Sequence, residues 1–234
     1  MLNFTTETHV GQLRLKNEDS VMVSPEVSAF VLGDGVGGNR NGEIASRVAC
    51  DSVIQQLAYG QSLQKAILFA HKKIQELAAA QPDLSGMATT LVACHIEGAI
   101  FQISWVGDSR AYLWNGSYLQ QLTRDHSYVE HLIAEGEITR QEAESHPFRH
   151  ILMYALGSGE DELLRIDTVS GSLSEGDYLL LCSDGLTGEV KEEDIATILE
   201  SELSLEDKAH CLIETANNNG GRDNISVALI QYHT

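Results

Sequence analysis

Apolar positions along the chain switch repeatedly between two periods. Residues 27–32 form a short apolar run ending in a glycine cluster, the pattern of a buried strand. Ile44, Ala45, Val48, Ala49, Val53 and Leu57 then recur at helical spacing. Leu63, Ala66, Ile67, Ala70, Ile74 and Leu77 do the same, with Ser62 placed as N-cap. Segments 89–95 and 99–106 predict neighbouring strands, the second setting Ala99, Phe101, Ile103 and Trp105 on one face.

Further strands at 109–114 and 117–122 flank Asn115-Gly116, a strong hairpin signal. Ser127-x-x-Glu130 and Thr139-x-x-Glu142 have the form of capping boxes. They predict two short helices, the first ending at Gly136 and the second before Pro147, in a helical flap over 131–150. A strand at 177–182 follows. Ser204-x-x-Asp207 opens a helix to about Asn218, with Gly220-Gly221 behind it, and 225–232 closes as a strand. Hairpin-linked strands with helices in separate blocks predict an α+β fold built on antiparallel sheets. With no repeat, no low-complexity stretch and no Pro/Gly/Ser-rich linker, 1–234 reads as one domain.

Composition narrows the classes. The 234 residues are 43% hydrophobic, enough for one substantial core. No apolar run approaches the roughly 20 residues a bilayer needs, and the first residues lack the basic start and apolar stretch of a signal peptide. A cytoplasmic protein is expected, without membrane contact. The formal charge of −19 argues against nucleic-acid partners and suits a solubility surface, some of whose carboxylates could converge on cations. Cys50, Cys94, Cys182 and Cys211 are far apart in apolar contexts, so buried free thiols are expected. None of the nine histidines has zinc-motif spacing.

Two readings compete at the glycine cluster. Gly33-Asp34-Gly35-Val36-Gly37-Gly38 matches the dinucleotide-binding pattern, after a strand and before a helix. Against it, Asp34 would face a pyrophosphate, and the elements that follow do not form a βαβ unit. The other reading uses the carboxylates. Asp19, Asp34, Asp184 and Asp223 all sit at predicted strand ends, and Asp34 and Asp184 are each followed by glycine. Carboxylates with a backbone carbonyl suit hard cations such as Mg²⁺ or Mn²⁺. A single Asp-Gly pair is more often a surface turn. Four carboxylates able to meet at one edge of a sandwich are not.

The motifs around these residues carry a resemblance. Arg14-x-x-Asn17-Glu18-Asp19, Asp34-Gly35-Val36-Gly37-Gly38, Ala88-Thr89-Thr90, Gly107-Asp108-Ser109-Arg110, 122–127, 181–186 and Gly221-Arg222-Asp223-Asn224-Ile225 resemble, in order, the metal-dependent protein phosphatases of the 2C family, in their bacterial form. The resemblance implies an α-β-β-α sandwich and hydrolysis of phosphoserine and phosphothreonine in proteins, by attack of a water or hydroxide bridging two metals. Asp34 would bridge them and the Gly35 carbonyl complete one. Asp184 and Asp223 would hold the first. Glu18 matches a position binding the second, with Asp19 acting through metal-bound water. Asp125 and Asp184 would share a third, weaker ion. Arg14 would bind phosphate. The cofactor implied is Mg²⁺ or Mn²⁺, and the partners are phosphoproteins and a cognate serine/threonine kinase, met by a monomer.

Asp108, Ser109 and Arg110 are expected to tie loops together, and His126 to be a locally satisfied histidine. The sequence departs from the family pattern at Ala88, at Val36 and at Asn39, the last a substrate contact at the cleft rim. Because Val36 stands where some members carry a histidine, leaving-group protonation is expected to fall to metal-bound water. A regulatory module that kept the fold but lost catalysis is the main alternative; it would be expected to lose metal carboxylates.

Overall fold

The computed structural model describes residues 1–36 and 41–233. Two antiparallel five-stranded sheets form its centre, and every strand pairing is antiparallel. In the first, β1 (Leu2–His9), β12 (Ile225–Tyr232), β11 (Tyr178–Cys182), β8 (Arg110–Trp114) and β9 (Leu119–Gln121) lie in that order. The second runs β10 (Asp167–Ser172), β7 (Ile100–Val106), β6 (Leu91–Glu97), β3 (Ala29–Gly33) and β2 (Ser20–Ser24). A short ladder joins β4 (Gly35–Val36) to β5 (Ala88–Thr89).

The apolar residues divide into three layers, as an α-β-β-α sandwich requires. Phe30, Leu32, Val92, Ile103, Leu179, Leu181 and Ala228 fill the space between the sheets. The opposite face of the second sheet, including Val31 and Ala93, packs on α1 (Gly42–Ala58) and α2 (Leu63–Ala80) through Ala45, Ala49, Val53, Ile67 and Ile74. On the first sheet, Tyr112, Leu180 and Val227 meet α5 (Asp184–Thr187), α6 (Glu192–Glu200) and α7 (Leu205–Asn219) through Leu186, Ile195, Leu212 and Ile213. Alternation decides which layer each strand residue joins, so Leu179 and Leu181 face one side and Leu180 the other.

Local signals in the sequence set most boundaries. Gly116 adopts φ +80°, and the Asn115 side-chain oxygen accepts from the amides of Ser117 and Tyr118, both at 3.1 Å. Thr139 and Glu142 close a full capping box before α4 (Arg140–Glu144). Ser127 caps α3 (Tyr128–Ala134), but its box stays open because the Glu130 carboxylate turns to Arg124 and Arg140. The strand expected over 89–95 breaks at Thr90. There the Thr90 amide and the Thr89 hydroxyl both donate to the Asp34 carbonyl, each at 2.8 Å. All four cysteines are free; Cys50, Cys94 and Cys182 are buried and Cys211 is half-buried. Among the described residues no helix is long and apolar enough to cross a membrane.

Candidate active site

Loops from both sheets meet at one end of the sandwich. Asp19 lies just before β2, Asp34 between β3 and β4, Asp108 just after β7, Asp184 at the start of α5 and Asp223 just before β12. Close backbone approaches draw them together. A Cβ on Gly185 would stand 2.0 Å from the Asn224 carbonyl oxygen, so only glycine lets α5 lie against the chain after Asp223. A Cβ on Gly35 would stand 2.5 Å from the carbonyl carbon of Gly42, which brings the start of α1 against the Asp34 loop.

Asn224, buried between these loops, is a clamp that the sequence reading did not single out. Its side-chain amide donates to the carbonyls of Val10 and Lys16 at 2.9 Å each, and its oxygen accepts from the Glu18 amide at 2.8 Å. The loop carrying Arg14, Glu18 and Asp19 is therefore fixed to the residue beside Asp223. The Glu18 carbonyl accepts from the Gly35 amide at 3.2 Å and the Ser46 hydroxyl at 2.6 Å, tying the same loop to the Asp34 turn and α1. Asn224 lies inside one of the quoted motifs, and that adjacency was the available signal.

The electrostatics are those of crowded like charges. Both carboxylate oxygens of Asp19 are buried and make no hydrogen bond of good geometry; burial pushes the pKa up to about 7, with the nearby Ser226 and Ser183 hydroxyls pulling the other way. Asp34 is raised well above the usual range, first by burial and then by Asp19, Asp184, Asp108 and Asp223. Asp184 is raised by burial and by Asp223, and Asp108 is raised by burial, Asp184 and Asp125. Asp34, Asp108 and Asp184 keep some solvent contact while lying deep in the protein, as residues on a cleft floor do. Arg14 leans over this floor: its Nη2 donates to Asp223 Oδ2 at 2.7 Å, and its half-exposed guanidinium also acts on Asp184 and Asp34.

The structure bears on three of the expected residues. Burial raises the pKa of Glu18, followed by the neighbouring Glu43, with Lys16 opposing. Asp125 is committed elsewhere. Arg110 Nε and Nη2 grip its two oxygens at 2.9 and 2.8 Å, in the fork geometry of a strong charge-assisted pair. Asp108, expected from the sequence as a structural tie, is coupled by charge both to Asp184 and to Asp125. The tying in that motif is done by its neighbours, Ser109 bonding the Thr90 hydroxyl at 2.7 Å and Arg110 holding Asp125. Asn39 lies outside the described residues.

His126 meets its expectation. Its Nδ1 accepts from the Gly107 amide at 3.2 Å, which leaves the proton on Nε2, 3.3 Å from Asp167. Among the described residues no three His, Cys, Asp or Glu side chains are gathered into a ready chelate. The donor set nevertheless fits hard divalent cations: the groups are carboxylates, they raise one another's pKa, and the two buried Asp19 oxygens make no hydrogen bond of good geometry.

A sandwich whose sheet-end carboxylates form such a floor defines the class, and comparison with known proteins agrees. The family model for protein phosphatase 2C matches residues 12–225, so the chain belongs to that family. It is 38% identical to the serine/threonine phosphatase stp of Listeria innocua, over 96% of this chain and 93% of the relative. The structure of serine/threonine phosphatase Stp1 from Staphylococcus aureus matches with TM-score 0.91 at 33% identity, covering 100% of this chain and 96% of that one. The catalytic domain of serine/threonine protein phosphatase PstP in complex with 2 manganese ions matches with TM-score 0.87 at 32% identity, covering 100% and 99% of the two chains. The chain is a metal-dependent serine/threonine phosphatase of the bacterial type.

Proposed function

We propose that the cleft hydrolyses phosphoserine and phosphothreonine in proteins in one displacement, water attacking phosphorus directly with no phosphoenzyme. The observation that carries this reading is the buried Asp19 carboxylate, without a hydrogen bond of good geometry, among Asp34, Asp184 and Asp223, an arrangement that calls for cations. Asp34, Asp184, Asp223 and the Gly35 carbonyl would hold the ions, with Asp19 behind them. Divalent cations bound there supply Lewis acidity, making water nucleophilic near neutral pH and offsetting charge on the phosphoryl oxygens. Should a third ion bind, the coupling of Asp108 to Asp184 supports Asp108 as its carboxylate in place of Asp125.

Arg14 has a defined part. Half-exposed and resting on Asp223, its guanidinium can turn its fork to two oxygens of an incoming phosphate and orient phosphorus for in-line attack. Cysteine nucleophiles do not compete: burial pushes the Cys182 thiol up to about 12, beside the site but far from its reactive form. On this reading the substrates are phosphoproteins made by a serine/threonine kinase of the same cell, and the enzyme meets them as a cytoplasmic monomer. Single-turnover hydrolysis of a phosphothreonyl peptide in ¹⁸O-water with Mn²⁺ tests the chemistry. One solvent oxygen should appear in phosphate and none in the protein. A trapped phosphoenzyme would refute direct attack.

A further inference from the structure

Arg14 is held over the floor by a loop with little apolar anchorage of its own. Its chain neighbours Leu13 and Leu15 are both exposed, so their packing does not place the guanidinium. The placing falls to bonds made by the backbone on either side. Asn224 takes the carbonyls of Val10 and Lys16, and the amides of Gln12 and Leu13 donate to the Gly221 carbonyl at 2.7 and 3.3 Å.

The loop starts from His9, the last residue of β1, which pairs with Ile225 at the start of β12. Its half-buried ring accepts twice at one nitrogen. Nδ1 takes the Gly11 amide at 2.9 Å and the side-chain amide of Asn217, from α7, at 3.2 Å. A backbone N–H can only donate, so Nδ1 offers a lone pair and the ring proton sits on Nε2. The same bond requires Asn217 to turn its nitrogen, not its oxygen, to the ring.

The position of Gly11 gives this bond its consequence. At φ +80° Gly11 presses on the turn that carries Asp223. A Cβ on it would stand 2.1 Å from the Asp223 carbonyl oxygen and 2.7 Å from that of Gly221. In so close a fit, a shift of Gly11 carries residues 12–14 with it relative to Asp223, the residue that Arg14 Nη2 meets at 2.7 Å.

We propose that His9 is a positioning residue for Arg14. By holding the Gly11 amide, and by tying it to α7 through Asn217, the imidazole keeps loop 10–14 in register with the turn over 221–223. The guanidinium then meets an incoming phosphate in one orientation, and small misplacements of such a group are costly to turnover. His9 acts at one remove, through the loop, and the inference rests on the reading of Arg14 given above.

Replacements that differ in where they put an acceptor test it. Asparagine can set its oxygen where Nδ1 lies and readily accepts from the amide two residues on, so His9→Asn should stay within about twofold of wild type. His9→Ala has no acceptor, and the oxygen of His9→Gln lies one bond farther out. Both should lower kcat/KM for a phosphothreonyl peptide about tenfold at saturating Mn²⁺, and weaken inhibition by inorganic phosphate by a similar factor. Rates are compared well below the melting temperature of each variant. Added to Arg14→Ala, the His9→Ala change should cost less than about twofold more, because the group it positions is gone. A His9→Asn variant as impaired as His9→Ala, or a His9→Ala loss that persists in full without Arg14, overturns the proposal. Wild-type phosphate inhibition in Arg14→Ala would instead overturn the reading of Arg14 on which it rests.

Discussion

Asp19 keeps both oxygens buried without a hydrogen bond of good geometry, which costs ~1–3 kcal/mol for a neutral polar group and more for a charged one. Its pKa, pushed from 3.8 to about 7, has a stability consequence with a definite sign. Between those values the folded, metal-free chain holds a proton that the unfolded chain does not. Stability of the metal-free protein should therefore fall as pH rises across that window. With Mn²⁺ the slope should reverse, because cations favour the ionised carboxylates. Melting curves at pH 5.5 and pH 7.5, with chelator and with Mn²⁺, check this; a chelated protein that melts higher at pH 7.5 contradicts it. Asp125 and Asp108 should separate just as cleanly. Asp125→Ala strands the part-buried Arg110 guanidinium, a loss of about 3 kcal/mol, or roughly 6–12 °C in a domain this size. Turnover at a permissive temperature should be kept. Asp108→Ala should do the opposite, relieving repulsion while weakening catalysis; the reverse pattern would restore Asp125 to the metal site. Asp19, Asp34, Asp184 and Asp223 were legible because each borders a strand end. That Arg110 claims Asp125 was not, since the pair reaches across 15 residues of chain.

Strand and helix patterns were readable wherever one face is apolar, which holds for α1, α2, β6, β7, β11 and β12. β1 escaped notice because Leu2–His9 is mostly polar, yet it pairs along its whole length with β12, from Leu2 opposite Tyr232 to His9 opposite Ile225. β10 is a second polar edge strand, held by β7. Pairing of this kind satisfies backbone groups without leaving a hydrophobic period to read. α6 buries only Ile195 and Leu199, too few to stand out. The contact between α5 and the chain before β12 gives a sharper forecast. In Gly185→Ala the new Cβ meets the Asn224 carbonyl at 2.0 Å, so the helix must shift and carry Asp184 away from Asp223. Overpacking of this type costs about 1–3 kcal/mol, so the variant should fold. Mn²⁺ affinity by calorimetry and turnover should each drop by about tenfold or more. Gly116→Ala, where a Cβ meets nothing within 4 Å, should leave both unchanged and lose only the modest stability of a strained φ of +80°. Wild-type Mn²⁺ affinity in Gly185→Ala would show that the approach does not set the ligand spacing.

Across the molecule the site works inside an unusual field. The chain carries 34 acidic and 15 basic side chains, a formal −19, and the cleft adds its own carboxylates to that background. Bound cations and Arg14 invert the sign locally, but an approaching phosphopeptide is met first by the negative exterior, whose reach is set by the Debye length, about 30 Å at 0.01 M salt and 8 Å at 0.15 M. Electrostatics of this range acts on encounter rates more than on bound geometry. With Mn²⁺ held saturating, kcat/KM for a phosphopeptide flanked by acidic residues should rise a few-fold as salt increases from 0.01 to 0.15 M, because screening removes repulsion. A peptide of equal length flanked by lysines should show the reverse, losing attraction over the same range, while kcat changes little for either. The lysine-flanked peptide should therefore be the better substrate at low salt, with the gap closing as salt is added. Parallel salt dependences for the two peptides would mean that the exterior charge does not steer substrate and that recognition is confined to the cleft.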